Sequence, residues 1–463
     1  MTSSNEISDK EGMLYAGVAV ADITPPVGAL MNGDFFPHII EEIHDSLQAK
    51  AIVFKSGSVS LAIVIVDTCC LAEAFLQPVK QQIFLTTGIP VDHILIAATH
   101  THSGGAATEV FLTPVDENYA LQLSDALVKA VVNAQSAIVP CKITFGSVAV
   151  PAHVVSRRYR MAEGIVPFNP FGKKEDKVAT NPFGFEGAIA RSEGLVDPGL
   201  SFLAVKSLED EWISVLANYS LHYVGDFPAG VVSADYFGFF AEAIRRQLNA
   251  PESFVGILSN GSSGNINIWD FLNPDRYPSG NYEKSRLIAN DLAAHLVDCL
   301  SGMEWETGIG LSALQEKLAI PVRMPSEPEL KASAQQIAGV DFSAFETFDT
   351  DNLPLVYAYE QLQLAKEPAV CSVPLQLFKI GRFFIGAVPG ELFAETGLAL
   401  KALFDPGSFF VLGLANGNVG YIPPAHELNL GGYETWRCRA SKLAENAEKT
   451  VVGTFEKLAA QMG

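Results

Sequence analysis

The chain has 463 residues, 48% of them hydrophobic and 18% charged, an ordinary globular composition with enough apolar mass for a large core. Its 31 lysines and arginines stand against 52 acidic residues, and the resulting net charge of −21 argues against nucleic acid or an anionic membrane surface as partner. No run approaches the roughly 18 apolar residues a membrane span needs, and the polar start lacks the regions of a secretory signal, so the cytoplasm is the default expectation.

Residues 1–13 are expected to form a disordered leader. Tyr15 to Thr24 alternates like a strand and stops at Pro25-Pro26. Leu47 to Phe54 and Leu61 to Thr68, joined by Ser56-Gly57-Ser58, read as a hairpin feeding a buried sheet. A helix over 77–87 precedes the apolar strand Ile94 to Ala98, and a second helix runs from Asn118 to Ser136. Residues 150–200 hold the basic run Arg157-Arg158-Tyr159-Arg160 and Gly- and Pro-rich sequence with Phe168, Phe171, Phe183 and Phe185, and read as a long loop serving as lid or pocket wall. Strands over 200–205, 212–217 and 255–258 alternate with helices over 236–248 and 285–300. The region 310–380 mixes strands with acidic helical stretches. A strand over 382–388, a helix over 392–404, a strand over 409–414 and a helix from Arg439 to Met462 close the chain. Without repeats or linkers, this alternation predicts one large α/β domain over 14–463, with mixed sheet flanked by helices. The six cysteines make no CxxC pair and read as buried free thiols.

Polar chemistry gathers at strand ends, where α/β proteins bind ligands. Ile94 to Ala98 runs into Thr99-His100-Thr101-His102-Ser103. Histidines two apart on an extended chain share a face and can enter one pocket. His222, Glu391 and Tyr421 end other strands, and two histidines with a carboxylate suit a catalytic zinc that keeps a position open for water. The structural alternatives are a core role for His222, helix capping for Glu391 and simple packing for Tyr421. Asn260-Gly-Ser-Ser-Gly264 is either a tight turn or a close approach to ligand.

Asp22-Ile-Thr-Pro-Pro-Val-Gly28, His44-Asp45-Ser-Leu, Ala98-Thr-His-Thr-His-Ser-Gly104, Ser156-Arg-Arg-Tyr159, Ser233-Ala-Asp-Tyr236, Asn260-Gly-Ser-Ser-Gly264, Pro389-Gly-Glu391, Gly420-Tyr421 and Gly432-Tyr-Glu434 follow one another in this order. Together they resemble the catalytic domain of the neutral/alkaline ceramidases, over about residues 15–462. The resemblance is to a bacterial-type member reduced to that domain, without a secretory signal or a C-terminal immunoglobulin-like domain. It implies a zinc hydrolase of sphingolipid metabolism that cuts the amide of an N-acyl substrate by attack of metal-bound hydroxide. It also implies His100, His222, Glu391 and Tyr421 as metal ligands. The same resemblance implies His102 as a non-ligand histidine for proton transfer, Arg157 (with Arg158 as rival) as a holder of substrate oxygen, and Tyr433 as a tyrosine near the site. Asn267 stands near a serine that such ceramidases need. A soluble ester, lactone or carbohydrate-like substrate keeps the metal and changes the chemistry, and a catalytically silent binding protein is the reading from another class. Oligomeric state is not legible.

Overall fold

The computed structural model describes residues 12–165, 168–345 and 352–463, so most of the expected leader lies outside the described residues. The larger of its two main sheets has eight strands. Their spatial order is Val255–Asn260, Trp212–Tyr219, Gly199–Ser207, Val139–Ala149, Leu14–Asp22, Gln48–Ser56, Val59–Val66 and Ile94–Ala98. Only the two outermost pairings are parallel. The second sheet has four strands in the order Leu311–Pro321, Val370–Ile380, Phe383–Ala387 and Phe409–Leu412.

Side-chain alternation decides the layering. Ala49, Ala51, Val53, Ala62, Val64, Val66, Ile94 and Ile96 pack under the helices Glu73–Thr87 and Glu117–Ser136. Their neighbours Ile52, Phe54, Leu61, Ile63, Ile65 and Leu95 face the opposite way, against Phe378, Ile380, Ile385, Phe410 and Leu412 of the second sheet. At the other end of the large sheet, Phe202, Val215 and Leu258 lie under the helices Asp235–Gln247 and Glu283–Leu300. The outer face of the small sheet, with Leu375, Leu377, Phe409 and Val411, is covered by the helix Ala447–Met462. The result is helices, sheet, sheet, helices. Strands buried on both faces read as near-continuous apolar runs, which is why they are visible in the sequence.

Residues 413–416 join the two outer strands of the large sheet. Gly413 N–H donates to the Asn260 carbonyl at 3.2 Å, Ala98 N–H to the Leu414 carbonyl at 3.2 Å, and Asn416 N–H to the Ile96 carbonyl at 2.7 Å. The ends of strands from both edges are thereby brought to one place.

Three expectations are corrected. The stretch 150–200 is not all loop: Arg158–Met161 pairs with Val178–Thr180 and Ile189–Ser192 in a small antiparallel sheet. The helix expected from 392 begins at Ala394, because Glu391–Leu392 pairs in parallel with Tyr421–Ile422. The last helix begins at Ala447 rather than Arg439. Arg439 is drawn into ion pairs with Glu360 and Glu109, both at 2.6 Å, and Arg323 donates to the Ser441 carbonyl at 2.7 Å, so side-chain partners hold 439–446 in a non-helical path.

Candidate metal centre and cavity

His100 lies just past the end of Ile94–Ala98 with φ 75°, a left-handed backbone that a non-glycine residue adopts at a cost of about 1–3 kcal/mol and that clusters at functional sites. The turn swings its imidazole inward. Its Nδ1–H donates to the Cys69 carbonyl at 2.8 Å, which leaves Nε2 as the lone-pair nitrogen facing the centre. That Nε2 lies 3.1 Å from His222 Nε2 and 3.2 Å from His102 Nε2. Glu391 Oε2 is 3.5 Å from His100 Nε2 and 3.8 Å from His222 Nε2.

His222 follows the strand Trp212–Tyr219, and its loop is tied to the His100 loop through the Ser233-Ala-Asp segment. Thr101 Oγ1 donates to the Ser233 carbonyl at 2.8 Å, and Asp45 accepts from Ser233 Oγ at 2.7 Å and from Ala234 N–H at 2.8 Å. Asp235 Oδ2 accepts from Val224 and Gly225 N–H, both at 2.9 Å. The two histidine-bearing loops therefore share one backbone support, and the His44-Asp45 and Ser-Ala-Asp motifs supply it.

The donor set fits a divalent ion. His100, His222 and Glu391 each offer one ligand atom within 4.8 Å of the others, and all three residues are buried. Glu391 Oε2 is a buried carboxylate oxygen without a hydrogen-bond donor among the described residues, an arrangement that is costly unless a cation completes it. Burial depresses His100, but the Glu391 carboxylate more than offsets this and holds it above the ordinary imidazole value. Burial, reinforced by the charges of His100 and Arg157, keeps His102 and His222 well below it, and neutral imidazole is the ligating form.

Tyr421 pairs in register with Glu391 and is buried. Burial pushes its phenol well above the usual range, although the Arg157 guanidinium beside it pulls the other way. The Arg157 guanidinium lies 5.3 Å from the Tyr421 ring centroid and 5.9 Å from that of Tyr433. Arg157 is held by Glu434 Oε1 through Nε and by the Gly264 carbonyl through Nη2, both at 2.6 Å. Arg158 points elsewhere: its nitrogens donate to Glu427, Glu434 and the Gly431 carbonyl, and it is fully buried. Of the rival arginines, Arg157 faces the centre and Arg158 cross-links the wall. The Gly261–Gly264 turn supports the site from behind, since the Gly264 carbonyl holds Arg157 and Gly264 N–H donates to the Leu392 carbonyl at 2.8 Å.

These groups open into a cavity of about 1710 Å³. Its wall includes Phe168, Phe171, Phe183 and Phe185 of the 150–200 stretch, with Trp269, Tyr357 and Trp436. The expected pocket wall is thus formed by those phenylalanines. Asn267 also lines the cavity, and its amide donates to the Asn181 side chain. Sequence reasoning missed the Cys69 carbonyl, which has no side-chain signal, and Tyr223, adjacent to His222; Glu434 stood in the Gly432-Tyr-Glu434 motif without a role. The helical stretches expected in 310–380 are Glu327–Gln336 and Leu353–Leu364, and their place in the cavity wall had no signal in the sequence.

Among the solved structures that share this architecture are two ceramidases. One is a ceramidase complexed with C2, at TM-score 0.69 and 17% identity over 97% of this chain and 75% of that one. The other is the neutral ceramidase from Pseudomonas aeruginosa, at TM-score 0.71 and 17% identity over 97% of this chain and 74% of that one. The fold is that of neutral ceramidase. The single α/β architecture with mixed sheets agrees with the sequence expectation. No family model and no curated protein matches the sequence. Among the described residues, no helix of this ceramidase-like fold is long and apolar enough to cross a membrane.

Proposed function

We propose that the protein is a zinc-dependent hydrolase of an amide bond in an N-acyl substrate. The observation that carries this reading is the buried Glu391 Oε2, without a hydrogen-bond donor among the described residues and facing the Nε2 atoms of His100 and His222. His100, His222, Glu391 and Tyr421 would hold the ion, and nitrogen-rich donors of this kind suit zinc. The chemistry such an ion supplies is a lowered pKa for water and polarisation of a carbonyl oxygen. The likeness of the whole fold to ceramidase structures supports an N-acyl lipid as substrate, and so does a large cavity walled by phenylalanines.

The residues of this chain would do the rest. Arg157, fixed by Glu434 and Gly264, presents its guanidinium beside Tyr421 and would donate to the substrate oxygen as negative charge builds there. The phenol of Tyr433 lies near the same point and would add a second donor. His102, neutral at neutral pH, would accept a proton from the attacking water and return it to the leaving nitrogen. The phenylalanine-lined wall would hold the acyl chain and exclude water from the scissile bond.

The test is metal content per chain, measured on wild type and on H100A, followed by turnover of a panel of N-acyl and O-acyl compounds, lactones and acylated sugars. The reading expects one zinc per chain, lost in H100A, and cleavage of amides above the other classes. Preferred cleavage of an ester, lactone or sugar derivative would keep the metal and replace the substrate. A wild type that takes up no metal even when zinc is supplied would overturn the hydrolase and leave a binding protein.

A further inference from the structure

Tyr223 directly follows His222 and lines the same cavity. Its ring lies face to face with the His102 imidazole, at 3.8 Å between centroids and 15° between planes. Against its other neighbour, His222, it is tilted by 54° at 4.8 Å. The stacked partner is therefore the histidine outside the His100–His222–Glu391 donor set.

Backbone also holds His102. A Cβ on Gly33 would come within 2.6 Å of His102 Cα and Cβ, and the Gly33 backbone hydrogen-bonds the imidazole. Gly33 follows the short strand Leu30–Asn32, which pairs with Gly104–Gly105 just beyond His102. The imidazole is thus held at its edge by the Gly33 backbone and on one face by the Tyr223 ring, with its Nε2 3.2 Å from His100 Nε2. The ring's own placement is supported: Asp235 holds the Val224 and Gly225 amides, and Gly225 has φ 62° where a Cβ would lie 2.7 Å from Tyr223 Cε2. A glycine there lets the loop turn closely against the phenol ring.

We propose that Tyr223 is a positioning residue for His102. Its ring, stacked on the imidazole, fixes the plane of that imidazole for proton transfer. This rests on the hydrolase reading given above. In the step it serves, a water O–H bond breaks as an imidazole N–H forms, and the water oxygen bonds to the amide carbonyl carbon. The same proton then passes to the amide nitrogen as the C–N bond breaks, and the imidazole returns to its neutral state. One short segment, His222-Tyr223, therefore supplies a ligand with its first residue and orients the proton carrier with its second.

The experiment compares zinc-loaded wild type, Y223F and Y223L by steady-state kinetics on the best N-acyl substrate, by metal content, and by NMR of the His102 ring protons in histidine-labelled protein. Y223L is expected to keep its metal, to change KM little, and to lose kcat by roughly 30- to 100-fold, less than the roughly 10²- to 10⁴-fold of a general acid–base group itself, because His102 stays and only its placement is lost. Its His102 ring signals should move downfield as the ring current of Tyr223 is lost. Y223F keeps the ring and should rescue both kcat and the His102 shifts. A Y223L enzyme with wild-type kcat overturns the proposal. A Y223F enzyme as impaired as Y223L also overturns it, because the hydroxyl and not the ring would then matter. Wild type that cleaves no amide overturns the hydrolase reading instead, and His102 signals unchanged in Y223L would then overturn the stacking on their own.

Discussion

Glu391 and Tyr421 are direct register partners in a two-residue parallel ladder, and paired positions in such a ladder project their side chains to the same face. The ladder carries a carboxylate to the point where His100 and His222 meet and a phenol into the same cavity beside Arg157. Among the described residues, the carboxylate Oε2 has no hydrogen-bond donor. Adding zinc to metal-free protein should therefore raise its unfolding free energy by mass action, by about 2.7 kcal/mol at a free concentration a hundred times Kd. E391Q should show a far smaller response, while Y421F, which keeps both imidazoles and the carboxylate, should still respond and lose mainly kcat. Thermal unfolding across a zinc titration measures this. Equal responses from wild type and E391Q would remove Glu391 from the ligand set.

Arg157 and Arg158 share Glu434 but should behave as opposites. Arg157 faces Tyr421 and Tyr433, so R157A is expected to fold, keep its zinc and lose about 10²- to 10³-fold in kcat, the range for removal of one donor to a developing oxyanion. Arg158 is fully buried between Glu427 and Glu434, and R158A strands those carboxylates. Removing one partner of a buried ion pair costs about 3–5 kcal/mol, so R158A should unfold at markedly lower denaturant or fail to accumulate. Denaturant midpoints and kcat for the two variants decide it, and the assignment fails if R158A is stable and inactive while R157A is active.

What was legible in the sequence follows from burial. Strands such as Val59–Val66 and Ile94–Ala98 are buried on both faces and announce themselves as apolar runs ending in polar residues. In Val139–Ala149 only Cys141, Ile143 and Thr144 are buried and the rest is exposed or half-buried, so the strand gives little signal although it lies in the middle of the large sheet. The residues later found around the centre were legible as types at strand ends. Their convergence was not, because it depends on 413–416 joining strands at opposite edges of one sheet. Arg157 could not be separated from Arg158 by reading alone, since the choice is made by Glu427, Glu434 and Gly264, remote in sequence. The missing start of the last helix has the same origin: Arg439 is helix-compatible by propensity and is taken away by Glu109 and Glu360.

The aromatic wall should govern chain length rather than chemistry. Phe183 meets Trp269 edge-on at 5.2 Å and Phe271 at 4.9 Å, and Phe183 and Trp269 both line the cavity. F183A removes apolar surface from that wall. For a long-chain N-acyl substrate KM should rise roughly fivefold, equivalent to about 1 kcal/mol of lost burial, while a two-carbon acyl analogue should be unaffected. KM measured across a chain-length series checks this. A uniform loss at every length would mean that Phe183 supports the loop and not the acyl chain.

Lys80 gives a pH dependence that is independent of the metal centre. It lies on the buried side of Glu73–Thr87, and its Nζ donates to the Asn416 amide oxygen at 2.6 Å. Asn416 also accepts from Ile96 N–H and donates to Gln376, so the lysine stands beneath the segment that joins the sheets. Burial pushes the Lys80 amine down from 10.5 to about 7; Glu73 and Asp92 pull it up, and Lys317 pushes it further down. Below about pH 7 the amine is protonated in both folded and unfolded chains, and the folded state bears the cost of a buried charge. Between about 7 and 10.5 the unfolded chain binds a proton that the folded chain does not. Stability therefore rises with pH across that window, by up to about 1.4 kcal/mol per pH unit from this group. K80M leaves the Asn416–Ile96 bond in place and removes the titration. The unfolding free energy of wild type minus that of K80M should be flat below pH 7 and climb towards pH 10, as read from urea unfolding at successive pH values. Parallel pH profiles for the two proteins would show that Lys80 stays charged in the folded state, with Asn416 and the nearby carboxylates sufficient to hold it so.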